Sequence, residues 1–108
     1  MDKKISEIVK KFKLSLGNMG IKVDRMILFG SYAEGTNREG SDIDIVVISE
    51  DFKNMDLLQR HETIGLALAR SRIMEPVEAL GYTEKEFSAK GRGTFLRDEV
   101  KEKGIEVR

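Results

Sequence analysis

The feature that most constrains this chain is a pair of strand patterns that border one polar segment. Residues 21–29 become continuously apolar toward their end, whereas residues 42–48 open with strict polar/apolar alternation and then become fully apolar. Such runs are typical of strands that are buried in a sheet. Gly30-Ser31 stops the first run, Asp42-Ile43-Asp44 opens the second, and ten residues separate the two motifs. The pattern therefore predicts two strands whose polar ends border one loop.

Helical periodicity predicts the elements around these strands. Apolar residues recur at helical spacing in residues 3–16 and in about residues 55–70, where His61 falls on the apolar stripe and is expected to be packed or half-buried. A third strand is predicted at residues 74–80, entered through Pro76. Thr83 and Glu86 form a capping box that begins a further helix. A last helix is predicted from Thr94 to Lys103, with Gly104 as its C-terminal end. The predicted order is α-β-α-β-α-β-α-α, an α/β (α+β) fold.

Length and composition exclude several classes of protein. A chain of 108 residues predicts one domain, residues 1–108. The absence of cysteine excludes disulfide scaffolds, thiolate zinc sites and cysteine nucleophiles. The longest apolar run, residues 45–48, is far shorter than a membrane helix requires, and the charged N-terminus does not resemble a signal peptide. We therefore expect a cytoplasmic protein without a membrane partner.

The balance of 19 basic and 19 acidic residues conceals a strong asymmetry. Residues 1–27 carry seven positive and three negative charges, whereas residues 28–58 carry two positive and seven negative charges. Because the chain has no overall basic field, direct binding of nucleic acid is not expected. The acidic block requires an explanation, and it contains the Asp42-Ile43-Asp44 motif.

Two aspartates at alternate positions of a strand form a candidate metal site. The two-residue period brings the carboxylates of Asp42 and Asp44 to within about 7 Å on one face, where they repel each other. Mg²⁺ relieves such repulsion and prefers oxygen ligands. Gly30 lets the backbone approach a ligand closely, and Ser31 adds a hydroxyl, which suits a phosphate. Metal-binding carboxylates and a phosphate-binding turn on adjacent strands are the minimum set of groups for metal-assisted nucleotidyl transfer.

The segment from Gly30-Ser31 to Asp42-Ile43-Asp44 resembles the signature of minimal nucleotidyltransferases (MNT) of the DNA polymerase β superfamily. It is similar in particular to the MNT partners of HEPN–MNT toxin–antitoxin pairs. The resemblance extends from about Lys22 to Tyr82, and it implies a nucleotidyltransferase fold, a small mixed sheet flanked by helices. It also implies that Gly30 and Ser31 bind the triphosphate of ATP, and that Asp42 and Asp44 hold two Mg²⁺ ions.

A third carboxylate of this family lies on a later strand between apolar residues. The segment around Glu78 fits that description, so the resemblance implies that Glu78 shares a metal and helps to deprotonate the attacking hydroxyl. Glu75 is the competing candidate, three residues earlier and on the opposite face of an extended strand. The chain departs from many relatives at Glu34, where they carry an arginine, and Arg38 could reach the phosphates instead.

The resemblance leads to two hypotheses of function. In the first, the protein transfers AMP from ATP to a hydroxyl, on a tyrosine or another side chain of a cognate HEPN toxin, and so acts as an antitoxin. In the second, a catalytically weak module neutralises its partner by occlusion. Transfer to RNA or to a small molecule such as an aminoglycoside is a third reading, which the lack of an acceptor-binding lobe disfavours. A partner subunit or a second copy of the chain would then bind the acceptor.

Overall fold

The computed structural model describes residues 2–89 and 96–107. Within these residues four strands form one sheet: β1 Arg25–Phe29, β2 Ile43–Ile48, β3 Val77–Tyr82 and β4 Ile105–Val107. The strand order is β3-β2-β1-β4, with β1 antiparallel to both β2 and β4, and with β2 parallel to β3. The predicted small mixed sheet flanked by helices is confirmed.

The helices connect and cover these strands. They are α1 Lys3–Asn18, α2 Ser31–Glu34, α3 Leu57–Ser71 and α4 Glu84–Ala89, together with a 3-10 turn at Glu50–Phe52 and a π-helical segment at Leu96–Lys101. The parallel pairing of β2 with β3 requires a crossover, which α3 provides. No helix in the described part of the chain is long and apolar enough to span a membrane.

The two faces of the sheet bury different side chains. One face packs against α1 and α3, in a core that includes Phe12, Leu28, Ile43 and Ile45. The other face carries a smaller apolar cluster, which is covered by Phe87 of α4 and by Val100 of the π-helical segment. The alternation at the start of β2 follows from this arrangement, because successive side chains point to opposite faces. The isoleucines enter the main core, and the aspartates face the less covered side.

Two elements differ from the sequence-based prediction. The third strand is Val77–Tyr82, not residues 74–80, and Pro76 lies directly before it, where its carbonyl accepts a hydrogen bond from Ile43 N–H at 2.8 Å. The predicted order also lacks β4. Three residues that pair with β1 at the sheet edge are too few for a periodic pattern to identify.

The predicted last helix, Thr94 to Lys103, lies partly outside the described residues. Its described part ends at Lys101, so Gly104 does not terminate it. Gly104 is instead a close-packing position, because a Cβ there would collide with the Val100 carbonyl and lie 2.6 Å from Ile27 Cγ2.

The buried stripe of α3 also differs from the prediction. Arg60, Ile64 and Ala67 face inward, whereas Leu57 remains 77% exposed. His61 is exposed, so the expectation of a packed or half-buried histidine is wrong. The buried stripe is displaced because Arg60, a residue type that hydropathy assigns to the surface, is buried and forms an ion pair with a half-buried carboxylate.

That partner is Glu86 of α4. Both guanidinium NH groups of Arg60 donate to its carboxylate, at 2.6 and 2.9 Å, and Arg60 also donates to the carbonyls of Gly81 and Met55. Glu86 completes the predicted capping box with Thr83, whose N–H donates to the carboxylate at 2.9 Å. The pair therefore fastens α3, the end of β3 and α4 together.

We expect this pair to make stability depend on acidic pH. The hydrogen bonds from Arg60 lower the pKa of Glu86 from 4.5 to about 2, so the stabilisation is complete above pH 4.5 and disappears as the pH falls toward 2. Glu86→Gln should lower the free energy of unfolding by about 1 kcal/mol at pH 7, since Glu86 is 40% exposed, and by almost nothing near pH 2. Urea unfolding at both pH values measures this, with the exposed Glu62→Gln as control. An equal loss at both pH values would contradict the assignment.

Candidate active site

The register of the sheet brings two carboxylates side by side. Asp44 of β2 pairs directly with Glu78 of β3, and on its other side it pairs with Phe29 of β1. Paired residues of adjacent strands project to the same face. Asp44 is half-buried and Glu78 is exposed. The third carboxylate expected from the sequence therefore lies next to the second.

Asp42 completes an acidic group at this edge. It lies one residue before β2 and is exposed. Burial raises the pKa of Asp44, and the charges of Glu78 and Asp42 raise it further. Within the described side chains, no cation forms a salt bridge with any of the three. Among the described side chains, these three mutually repelling carboxylates therefore have no counterion.

Gly30 places the backbone directly against Asp44. A Cβ on Gly30 would collide with Asp44 Oδ2 and would lie 3.3 Å from the Asp44 carboxyl carbon. Gly30 also has φ +73° and ψ −153°, a conformation that is almost restricted to glycine. Two independent constraints therefore require glycine at this position, one of conformation and one of space.

Ser31 begins the short helix α2 immediately after this turn. It is half-buried, and in the described part of the chain its hydroxyl makes no hydrogen bond with the protein. The hydroxyl is therefore available to a ligand. Tyr32, the next residue, packs against the main core on the α1 side of the sheet.

The remaining candidates lie apart from the acidic group or on the surface. Glu75 precedes β3 and forms an ion pair with Lys4 of α1 at 3.8 Å, on the side of the sheet that the main core occupies. Glu34 is exposed at the end of α2. Arg38 is exposed in a turn four residues before Asp42, where Ser41 Oγ accepts its N–H at 2.8 Å.

A cavity of about 340 Å³ opens beside Asp44. Phe29 and Leu80 give it apolar walls, and Gly30 and Glu78 complete the side formed by the sheet. The lining also includes Glu99 of the π-helical segment, a residue that the sequence did not indicate. No local pattern marks Glu99, because only the packing of its segment on the sheet brings it to the cavity.

The chemistry of these donors fits Mg²⁺, which prefers carboxylate oxygens and retains several ligands from outside the protein. Among the described side chains, however, no three acidic or histidine residues are arranged so that they could hold a metal ion by themselves. Asp44 and Glu78 offer adjacent carboxylates and Asp42 a third nearby, so phosphate oxygens or water would have to complete a coordination shell.

Comparison with known proteins identifies the family. The nucleotidyltransferase domain family matches residues 3–107. A protein of Methanocaldococcus jannaschii, provisionally named protein adenylyltransferase MJ0141, is 34% identical over 104 residues, which are 95% of this chain and 98% of that protein.

One solved structure agrees in fold. A provisionally assigned nucleotidyltransferase from Sulfolobus solfataricus has a TM-score of 0.68 at 20% identity, over 95% of this chain and 78% of that one. A toxin–antitoxin structure with AMP-PNP has a TM-score of 0.49 at 29% identity, over 76% of this chain and 59% of that one. The match over almost the whole chain shows that this protein belongs to the nucleotidyltransferase domain family and is a nucleotidyltransferase.

Proposed function

We propose that the protein transfers AMP from ATP to a hydroxyl group of another protein. The observation that carries the proposal is the pairing of Asp44 with Glu78 beside the Gly30 turn, at the mouth of a cavity. The similarity to a protein provisionally named protein adenylyltransferase supports a protein as the acceptor. We further propose that residues 1–108 form one minimal nucleotidyltransferase domain.

Each site residue has a role in this reaction. Gly30 and Ser31 bind the triphosphate, since the backbone can approach closely at a glycine and the Ser31 hydroxyl is available. Asp42, Asp44 and Glu78 would hold Mg²⁺, which when bound would offset the phosphate charge. The acceptor hydroxyl oxygen bonds to the α-phosphorus, the bond from that phosphorus to the β-phosphate oxygen breaks, and pyrophosphate leaves. Glu78 accepts the proton of the hydroxyl.

The biological role that we propose is that of an antitoxin whose acceptor is a HEPN-type toxin, which AMP would inactivate. This role rests on the sequence resemblance to MNT antitoxins. The alternative, neutralisation by occlusion, is favoured by one observation, namely that no three described acidic side chains form a preassembled metal site. Toxin neutralisation that persists in Asp42→Ala/Asp44→Ala would establish occlusion, whereas its loss, with complex formation retained, would establish AMP transfer.

The third carboxylate provides the sharpest test of the transfer reaction. Glu78→Gln removes a charge beside Asp44 and should lower the rate of AMP transfer by about 100-fold or more. Glu75→Gln is the matched control, since it removes only a partly exposed ion pair with Lys4 and should leave the rate within about twofold. Transfer of labelled AMP from ATP, with Mg²⁺ and the candidate toxin, measures both rates. Equal rates in the two variants would refute the role of Glu78.

The Gly30 turn can be tested by the addition of one methyl group. Gly30→Ala should abolish most of the activity, by about 100-fold or more, because the new Cβ displaces the Asp44 carboxylate. Gly20→Ala is the matched control: Gly20 also has a positive φ, +87°, but has open space around its Cβ position. Both variants should lose about 1–3 kcal/mol of stability, while only Gly30→Ala loses transfer. A similar loss of transfer in both would show that backbone strain alone is responsible.

A further inference from the structure

The cavity beside Asp44 has one wall that the proposed reaction does not use. Glu99 forms part of this wall and comes from the π-helical segment, whereas the proposed metal and phosphate residues come from the sheet and from the turn at Gly30. Phe29 and Leu80 also line the cavity. A ligand in the cavity would therefore contact apolar surface and one further carboxylate.

The charge of Glu99 indicates which reactant meets this wall. The triphosphate of ATP is strongly anionic, and a carboxylate close to it would repel it. The phosphates are better placed at the turn around Gly30, because Gly30 has no side chain and lets the backbone approach them. The wall that Glu99 provides is left for the acceptor, and a positive charge on the acceptor would be attracted there.

The present partner of Glu99 does not prevent such a contact. Among the described residues, its ion pair is with Lys103, one turn later, at 3.5 Å. The Glu99 and Lys103 side chains are 40% and 49% exposed. Exposed pairs of this kind are weak and exchange readily with water or with another cation. An arginine delivered by an incoming protein could therefore displace Lys103 and form a two-point contact.

We propose that Glu99 is a specificity-determining residue, which selects acceptor proteins that carry an arginine or lysine next to the acceptor hydroxyl. The proposal rests on the proposed function, because it assigns the cavity to the acceptor of AMP. It extends that function by naming the chemical class of the acceptor segment. The juxtaposition that carries it is a carboxylate from a separate segment that lines the same cavity as Asp44 and Glu78, together with the apolar Phe29 and Leu80.

Two fluorescent peptides that are identical except for their flanks test the proposal. Each carries one tyrosine, flanked by arginines in one peptide and by glutamates in the other. The wild-type protein should bind the basic peptide about tenfold more tightly, as measured by fluorescence anisotropy in the presence of ATP and Mg²⁺. Equal affinities, or no measurable binding of the basic peptide, would overturn the proposal.

Four variants separate the effect of Glu99 from that of the general acidity of the protein. Glu99→Gln should reduce the preference to about twofold or less, and Glu99→Lys should reverse it. Glu62→Gln, which removes the same charge from the exposed surface of α3, should retain the wild-type preference. Lys103→Ala should increase affinity for the basic peptide, because it removes the competing cation. If all four variants are folded, an unchanged preference for the basic peptide in Glu99→Gln would refute the proposal.

The experiments distinguish a failure of this proposal from a failure of the proposed function. AMP transfer with no difference between the peptides would leave the reaction intact and remove the role of Glu99. Selection of the basic peptide without any AMP transfer would support Glu99 as a binding residue and refute the reaction. If both hold, Glu99→Gln should raise KM for the basic peptide about tenfold while KM for ATP remains unchanged.

Discussion

Repulsion between carboxylates on adjacent strands is the constraint on which the candidate site depends. The parallel register of β2 and β3 places Asp44 against Glu78, with Asp42 nearby, and burial of Asp44 strengthens the effect. Such an arrangement lowers stability unless something positive offsets it, and it is typical of functional sites. The register itself is fixed by the apolar positions of both strands, because a shift by one residue would place the acids in the main core.

At the opposite end of the same sheet face, the acidic residues are paired with a cation. There Arg25 of β1 donates to Glu84 of α4 at 2.7 and 2.9 Å and to Glu106 of β4 at 2.9 Å, and its guanidinium lies 5.6 Å from the Phe87 ring centroid. Acidic residues at this end are neutralised by the protein itself, and they hold the covering elements in place. The acids at the end with the cavity lack a described cation and face the opening. On this face of the sheet, the acidic residues at one end thus stabilise the fold, whereas those at the other end form the candidate active site.

The local part of this arrangement could be predicted from the sequence. Alternation in β2, the turn at Gly30 and the capping box at Thr83 each follow from a few consecutive residues, and the resemblance to minimal nucleotidyltransferases suggested Glu78 as the third carboxylate. Contributions from distant segments could not be predicted. Glu99 reaches the cavity only through tertiary packing, β4 is too short for a pattern, and the inward position of Arg60 depends on Glu86, which lies 26 residues later.

Calorimetric titration of ATP into the protein, with Mg²⁺ or with EDTA and without any acceptor, tests the central claim most directly. The acidic group beside Gly30 is claimed to be a site for a metal-bound nucleotide, so wild-type protein should bind ATP measurably with Mg²⁺ and far more weakly with EDTA. In Asp44→Asn that dependence on Mg²⁺ should largely disappear. ATP binding of equal strength with Mg²⁺ and with EDTA in the wild-type protein would contradict the account.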